Sequence, residues 1–422
     1  MISEITYAEL CQFVTEIGEY SCAADIKNKN LIEAGFESLK IMLISSELKR
    51  RGIKVRVSEL MKKPYLTDWW EIIKKQGSVI EYKKENDESE PEMAEFPLTD
   101  VQYAYWVGRN SEQVLGGISC YLYFEFDCGK IDQQRLSRVW ESVQYLHPSL
   151  RTKFLESGTQ VIQNKPYNSD IAINDLRQLG ETEKKKKLEA VRKEYSHKVL
   201  AVGRGEVAVL LLSVLDNDRA VLHFGIDLLV ADLKSVKIIF ADLEKLYNAN
   251  SFEKLQSTFS LEKHINRKEN DDNYRKAATY WKERIDTLPK APELPLKREY
   301  QSVKKPVFKR RNYMLKKPDW DRLTANAATN QITPAMILLT IYAQILEHYS
   351  NQSEFLINIP LFDRPSEAEN EVADFTNILL LSVDSIEEGS FIGKTRGIKD
   401  AFLEALDHSA YSGVKIIKPS LA

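Results

Sequence analysis

The sequence predicts an α+β protein, on three observations. Apolar runs with strand-like and helix-like spacing follow one another in a mixed order, without an internal repeat. Two of them, Val207 to Leu215 and Ala220 to Ile226, flank the turn Asp216-Asn217-Asp218-Arg219 and read as a β-hairpin. Such an order argues for α+β or a mixed sheet over a doubly wound parallel one. The length, 422 residues, exceeds what one compact core accommodates, so two or three domains are expected.

Composition narrows the function classes. Hydrophobic residues at 43% and charged ones at 29% are ordinary for a soluble globular protein. A net charge of −3 gives no global argument for nucleic acid or an anionic membrane. The N-terminus lacks a basic region followed by an apolar core, and no apolar run approaches a membrane span. Cys11, Cys22, Cys120 and Cys128 form neither a metal-type cluster with histidine nor a dense disulfide framework. No metal site is expected, and a reducing cytoplasm fits best.

Residues 1–76 read as a small helical bundle. Tyr7, Leu10, Val14 and Ile17 form one amphipathic stripe, and Leu39, Met42, Leu43 and Leu48 another. Leu66, Trp69, Trp70 and Ile73 close the unit. Ser38 stands where a loop hands over to the second helix, which by itself makes it an ordinary N-cap. Residues 77–95 are polar and mostly charged, the composition of a flexible linker.

From residue 96 the pattern changes. Thr99 or Asp100 caps a helix with an aromatic face, and Ser119 to Phe126 alternates as a strand. Ile131 to Leu146 is amphipathic and stops before His147-Pro148, a loop or cap histidine on local grounds. The lysine-rich run from Glu181 to His197 is interspersed with acids and lacks stacking aromatics, so it reads as a solvated helix face.

The hairpin then leads into the stretch that organises the chain. Asp227, Asp232 and Ser235, spaced Asp-x4-Asp-x2-Ser, lie where the strand Ala220 to Ile226 gives way to a helix over Val236 to Tyr247. Carboxylates at such a junction can face a cavity of low dielectric. On local pattern alone, Asp232 as a plain helix cap is the stronger reading.

Downstream, Pro289, Pro292 and Pro295 make Leu288 to Leu296 an extended crossover. Val307 to Leu315 is expected as a strand. Thr333 to Leu346 is expected as a helix, apolar nearly all round and hence buried. Glu354 to Ile359, Val372 to Asp384 and Phe391 to His408 add a strand, a turn with a strand, and a last helix.

Two family resemblances sharpen this reading. Leu31, Gly35, Phe36, Glu37, Ser38 and Leu39 resemble the phosphopantetheine attachment motif of acyl, aryl and peptidyl carrier domains, with Glu37 where those domains usually have Asp. Gly52 to Leu60, Pro64 and Thr67 to Trp70 look like their closing helices. The likeness implies 4′-phosphopantetheine on Ser38, installed by a phosphopantetheinyl transferase. With the whole bundle considered, an attachment serine is favoured over a cap.

Residues 96 to 422 resemble the heterocyclization domains of nonribosomal peptide synthetases, in six blocks in the right order. Phe96-Pro97-Leu98-Thr99 with Gln102, Tyr105, Gly108 and Arg109 is the first, and His147 to Arg151 the second, with Leu146 in place of the usual arginine. Asp227, Asp232 and Ser235 are the defining triplet. Leu288 to Leu296, Thr333-Pro334-Ala335 and Asp374-Phe375-Thr376 with Leu379 to Leu381 complete the set, Ala373 replacing a glycine. The family continues past its last helix into a Pro-Val-Val-Phe-Thr-Ser type segment, which nothing after His408 resembles.

The resemblance implies a helical carrier (1–76), a linker (77–95) and a chloramphenicol-acetyltransferase-like domain of two lobes, N-lobe 96–270 and an incomplete C-lobe 271–422. It implies that an acyl or aryl thioester on Ser38 is condensed with a carrier-bound Cys, Ser or Thr. The amide is then cyclodehydrated to a thiazoline or oxazoline. Proton transfers in that step suit a raised-pKa carboxyl beside an ionised one. Asp227 and Asp232 stand level as candidates for the chemistry, with Ser235 behind them and Arg151 expected to support Asp232 as an ion-pair partner. Implied partners are a trans-acting aryl-acid adenylating ligase and downstream carrier and adenylation modules, as in siderophore assembly, with no nucleic acid and no membrane. Two rivals stay open: an ordinary amide-forming condensation domain, and an inactive carrier-plus-scaffold fragment. The first needs a His-His-x3-Asp-Gly motif, which His223 to Asp227 does not supply.

Overall fold

The computed structural model describes residues 5–417, apart from 19–25, 27–28, 33–40, 42–43, 46–47, 49–50, 52, 54, 76–94, 112–113, 250–256, 258, 304–305, 310 and 385–388. Ser38, most of the expected second helix over 39–48 and nearly all of the expected linker 77–95 fall outside the described residues.

The N-terminal segment contains α1 (Tyr7–Gly18), α2 (Val57–Lys62) and α3 (Leu66–Lys75). Leu10 and Val14 of the first stripe are fully buried, as are Leu60, Leu66 and Trp69. The Trp69 indole N–H donates to Leu60 O at 2.8 Å, which satisfies the polar tip of an otherwise apolar anchor.

The next part is built on a four-stranded sheet in the order β2-β7-β6-β5, formed by β2 (Tyr121–Cys128), β5 (Ala172–Asp175), β6 (Ala208–Val214) and β7 (Ala220–Asp227). β1 (Phe96–Pro97), β3 (Thr152–Phe154) and β4 (Thr159–Ile162) make a separate three-stranded sheet. The helices here are α4 (Asp100–Gly108), α5 (Gln133–Leu146), α6 (Glu181–Tyr195) and α7 (Leu233–Asn248). β6 and β7 are antiparallel and joined by the expected turn, closed by Leu215 N–H to Arg219 O at 2.9 Å.

Alternation along β7 sorts its side chains onto two faces. Leu222, Phe224 and Ile226 enter a core with Leu136, Trp140 and Val143 of α5 and Val236, Ile239 and Leu243 of α7. Phe224 meets Trp140 and Phe240 edge to face, at centroid distances of 6.1 and 4.9 Å. Val221, His223, Gly225 and Asp227 take the other face. Both faces being covered explains why all eight residues of β7 are buried.

The C-terminal part comprises α8 (Leu261–Glu269), α9 (Asp272–Lys282), α10 (Lys317–Thr329), α11 (Pro334–Ser350), β8 (Phe355–Phe362), β9 (Thr376–Val383), α12 (Phe391–Asp407) and α13 (Gly413–Ile417). β8 and β9 pair antiparallel from Phe355–Val383 to Phe362–Thr376. Ile357, Leu379 and Leu381 share a core with Met336 and Ile337 of α11 and Phe402 of α12. Among the described residues, no helix is long and apolar enough to cross a membrane.

Two expectations fail in this part. The described residues of 307–315 form no strand, and Phe308, Tyr313 and Met314 are 77%, 87% and 88% exposed. A strand needs a hydrogen-bonding neighbour, and β8 and β9 pair only with each other in this sheet. Nor is α11 buried all round: Met336, Ile337, Thr340, Ala343 and Leu346 are inside, but Leu338, Tyr342, Ile345 and Tyr349 are exposed. Apolar character was a sound guide to helix and a poor one to burial.

Gly225 is a tight point of the main sheet. A Cβ there would fall onto the Tyr121 hydroxyl from β2 and come within 3.0 Å of Val209 Cγ2 from β6. Gly225→Ala should therefore cost about 1–3 kcal/mol through overpacking. Denaturant unfolding checks this, and an unchanged midpoint would contradict the packing described.

Candidate active site

The site is assembled on the loop between β7 and α7. Asp227 is the last residue of β7 and is wholly buried. Its Oδ1 accepts from Leu229 N–H at 3.1 Å, and its Oδ2 pairs with the Arg109 guanidinium. Burial pushes the Asp227 carboxyl up, against the pull of Arg109 and the Leu229 N–H.

Leu229, Val230 and Ala231 bury the loop. Asp232 then caps α7, its Oδ1 accepting from Ser235 N–H at 2.7 Å. The capping reading is thus correct as far as it goes, but it is not the whole role. Arg364, from the segment after β8, places one terminal nitrogen 2.8 and 3.0 Å from the two Asp232 oxygens and 2.9 Å from Ser235 Oγ. Its other terminal nitrogen donates to Ala368 O and Glu371 O at 2.7 and 2.6 Å. Ser235 Oγ also accepts from Ala373 N–H at 3.2 Å and lies 2.8 Å from both Ala373 O and Asp232 Oδ1.

The expected partner of Asp232 is corrected here. Arg151 donates to the carbonyls of Gln144, Gln163 and Tyr145 at 3.1, 2.6 and 3.5 Å, and the Asp232 counterion is Arg364. Arg151 ends a 3-10 turn, Pro148–Arg151, which lies beside the carbonyls of α5 that it bonds.

Gln102 of α4 and Arg109, the C-cap of that helix, support the same loop. Gln102, within the capping box of that helix, donates to Leu229 O at 2.6 Å and exchanges hydrogen bonds with Gln160 of β4. Arg109, two turns on, holds Asp227 and Leu200 O. Both stand in the opening block that the sequence singled out, though without this role.

His223 is satisfied within the sheet. The Tyr123 hydroxyl lies 2.8 Å from Glu125 Oε1 and 2.7 Å from His223 Nδ1, while Ser213 Oγ is 2.9 Å from Nε2. With the tyrosine donating to the carboxylate, His223 donates through Nδ1 and accepts from Ser213, a neutral tautomer. Burial pushes its pKa down, in keeping with that form. His147 is also buried, with Nε2 3.0 Å from Asp242.

One acid at this site was not singled out as a candidate for chemistry. Asp374 precedes β9 and is 2% exposed. Its Oδ1 accepts from Thr376 N–H at 3.0 Å, while its Oδ2 is buried with no hydrogen-bond partner. Burial carries its carboxyl up to about 7. Burial also pushes the Cys120 thiol up to about 11, with the charges of Asp227 and Asp374 adding to the shift, so both acids are felt at the same place. Asp374 lines a pocket with Thr99, Lys268, Tyr274 and Lys415.

The profile of the condensation-domain family matches residues 92–420. The chain belongs to that family. It is 33% identical over 401 residues to the phenyloxazoline synthase MbtB of Mycolicibacterium paratuberculosis, a match covering 92% of this chain and 34% of the relative. Against the pyochelin synthetase PchE of Pseudomonas aeruginosa it is 29% identical over 399 residues, covering 92% and 27%. The chain thus spans about a third of the length of these relatives. Among solved structures it matches the EpoB cyclization-docking bidomain from Sorangium cellulosum at 29% identity and a TM-score of 0.67, covering 78% of this chain and 66% of that one. The condensation-domain fold accounts for the mixed α and β order read from the sequence.

Two outcomes are expected. Arg364→Ala leaves Asp232 buried without its cation and should cost about 3–5 kcal/mol, whereas Arg151→Ala leaves that pair intact; equal losses in denaturant unfolding would contradict the pairing. The folded-state value of Asp374 also lies above the unfolded value of about 3.9. The folded chain therefore holds that proton more tightly, and this contribution to stability is complete below about pH 4 and lost as the pH rises to about 7. Asp374→Asn, which lacks the loss, should gain on the native protein in thermal melts as the pH rises through that window; parallel curves would refute the shift.

Proposed function

We propose that this condensation domain forms an amide between an acyl or aryl thioester and a carrier-bound Cys, Ser or Thr, then cyclodehydrates it to a thiazoline or oxazoline. The observation that carries this reading is the buried Asp227, Asp232 and Ser235 loop in place of a paired-histidine motif. An ordinary amide-forming domain would use a histidine there, and the nearby His223 is engaged at both ring nitrogens. Likeness to a phenyloxazoline synthase, a pyochelin synthetase and a cyclization bidomain supports the same conclusion. A role in siderophore or related natural-product biosynthesis is the wider reading that those relatives support.

In this reading the reacting amide lies beside Asp227, whose buried pairing with Arg109 gives it a fixed orientation toward the acceptor. Asp232 and Ser235 act by holding the loop. Holding both substrates on carriers converts a bimolecular attack into a local one, which can supply much of the entropic part of the barrier.

The carrier belongs to the same proposal. Ser38 bears 4′-phosphopantetheine, installed by a phosphopantetheinyl transferase, and an aryl-acid ligase acting in trans loads it. The relatives align over 92% of the chain, more than the family profile at 92–420 spans, so likeness reaches into the N-terminal segment. The organisation proposed is a carrier over 1–76, a linker over 77–95 and the two lobes over 96–270 and 271–422.

The test uses the natural full-length protein, CoA and a phosphopantetheinyl transferase, with an aryl donor and a cysteine-, serine- or threonine-loaded acceptor. Mass spectrometry should show phosphopantetheine on Ser38 and a product lighter than the amide by one water. Asp232→Asn should abolish the ring. Amide as the sole product of the native protein would return the domain to ordinary condensation.

A further inference from the structure

We propose that the seam between the two lobes is an ionic gate, closed over a pocket by two part-exposed ion pairs and pivoting on the buried node at Arg364. The inference rests on the two-lobe division proposed above, 96–270 and 271–422, and not on the ring-forming reaction. Three observations carry it.

The first is where the pairs stand. Lys268 of α8 meets Asp363, just after β8, at 2.9 Å, and Asp100 at the start of α4 meets Lys415 of α13 at 3.7 Å. Each pair joins one lobe to the other, and the two run in opposite senses: the first lobe supplies the lysine of one and the aspartate of the other. All four side chains line a single pocket with Tyr274, whose hydroxyl accepts from Lys415 Nζ at 2.6 Å. Burial disfavours the Lys268 ammonium, yet Asp363 and then Asp100 hold its pKa up, so the pairs behave as one cluster. Sliding the lobes to exchange partners would set lysine against lysine and aspartate against aspartate, which leaves one closed register.

The second is the difference in strength between gate and pivot. The gate side chains are between a quarter and a half exposed, the range in which an ion pair adds little and salt screens it. At the pivot the Arg364 and Asp232 side chains are almost wholly buried, and Ala373 N–H donates to Ser235 Oγ. Val372 is buried in the core built by α5 and α7. Parting a buried pair leaves a charge without its partner, so separation of the lobes starts at the gate and leaves the pivot in place.

The third is the placement of the loop between β7 and α7. Its Asp232 end is tied to the pivot, and neither Asp227 nor any other residue of the loop lines the pocket. Opening the seam therefore uncovers the pocket wall while the geometry of the loop is kept.

Acylation of lysines by an N-hydroxysuccinimide ester, read residue by residue by mass spectrometry in the full chain, tests the gate. An ammonium held in an ion pair reacts slowly. Lys415→Gln removes one pair and leaves Lys268 with Asp363. Local electrostatics alone would then slow the labelling of Lys268, because a neighbouring positive charge is lost. A gate that opens as a unit should instead speed it about threefold or more. Lys415→Arg, which keeps the pair, should restore the native rate. Lys234, paired with Glu369 beside the pivot, and Lys184 of α6 should label at the native rate in all three proteins.

Labelling of Lys268 that is slowed or unchanged in the Gln variant would overturn the gate, because the two pairs would then be independent. Lys184 and Lys234 rising with Lys268 would overturn it too, as general loosening of the fold. Labelling reads no product, so its failure and the failure of the ring-forming reading are separate results.

Discussion

The arrangement depends on a buried guanidinium. Arg364 has a side chain 6% exposed against an Asp232 side chain 1% exposed, and removing both from water costs several kcal/mol before any contact is counted. Such a pair persists when most of the remaining valences are filled, and here Arg364 Nε is left buried without a hydrogen-bond partner. Here the guanidinium reaches two carbonyls, a carboxylate and a hydroxyl, and it lies over the Phe375 ring at 4.4 Å. The result is positional: the start of α7 and the segment 364–375 are tied at one point. Because β9 begins at Thr376, the same tie sets where Asp374 stands relative to Asp227.

A second constraint comes from α4. Gln102 and Arg109 are seven residues apart, which places them on one helix face two turns from each other. One holds the carbonyl of Leu229 and the other the carboxylate of Asp227, so one helix and its C-cap grip the start of the loop, while Arg364 holds its far end at Asp232. The apolar residues Leu229 to Ala231 are buried and resist displacement in either direction. Two stretches distant in sequence therefore converge on one loop of five residues.

What the sequence made legible follows the range of the interactions involved. The hairpin before Asp227, the cap at Asp232 and the helix after it are local patterns, and each lies within three residues of where the periodicity puts it. The counterion is a long-range fact. Arg364 is 132 residues from Asp232, and no spacing rule selects it over Arg151. Burial was misjudged for the same reason. The composition of α11 announces a helix, but which of its faces is covered depends on neighbours, and Leu338 to Tyr349 includes an uncovered stripe. The segment 307–315 shows the converse, a strand-like composition that has no paired neighbour among the described residues. Asp374 stands in a motif block; its burial and its bond to Thr376 N–H are visible only in the folded chain.

These facts bear on how a motif should be read as mechanism. A group saturated by hydrogen bonds in the resting protein has little freedom to change protonation state, because each donor stabilises the anion. By that measure Asp232 and Ser235, both tied to backbone and to the guanidinium, serve geometry. Asp227 is intermediate, with burial opposed by one cation and one N–H. Asp374 has a local partner in Thr376 and no counterion of its own. Prominence in the sequence pattern thus tracks how much of the loop a residue holds. The triplet identifies the site because it builds the loop, and building the loop leaves least room for chemistry at the residues that do most of the holding.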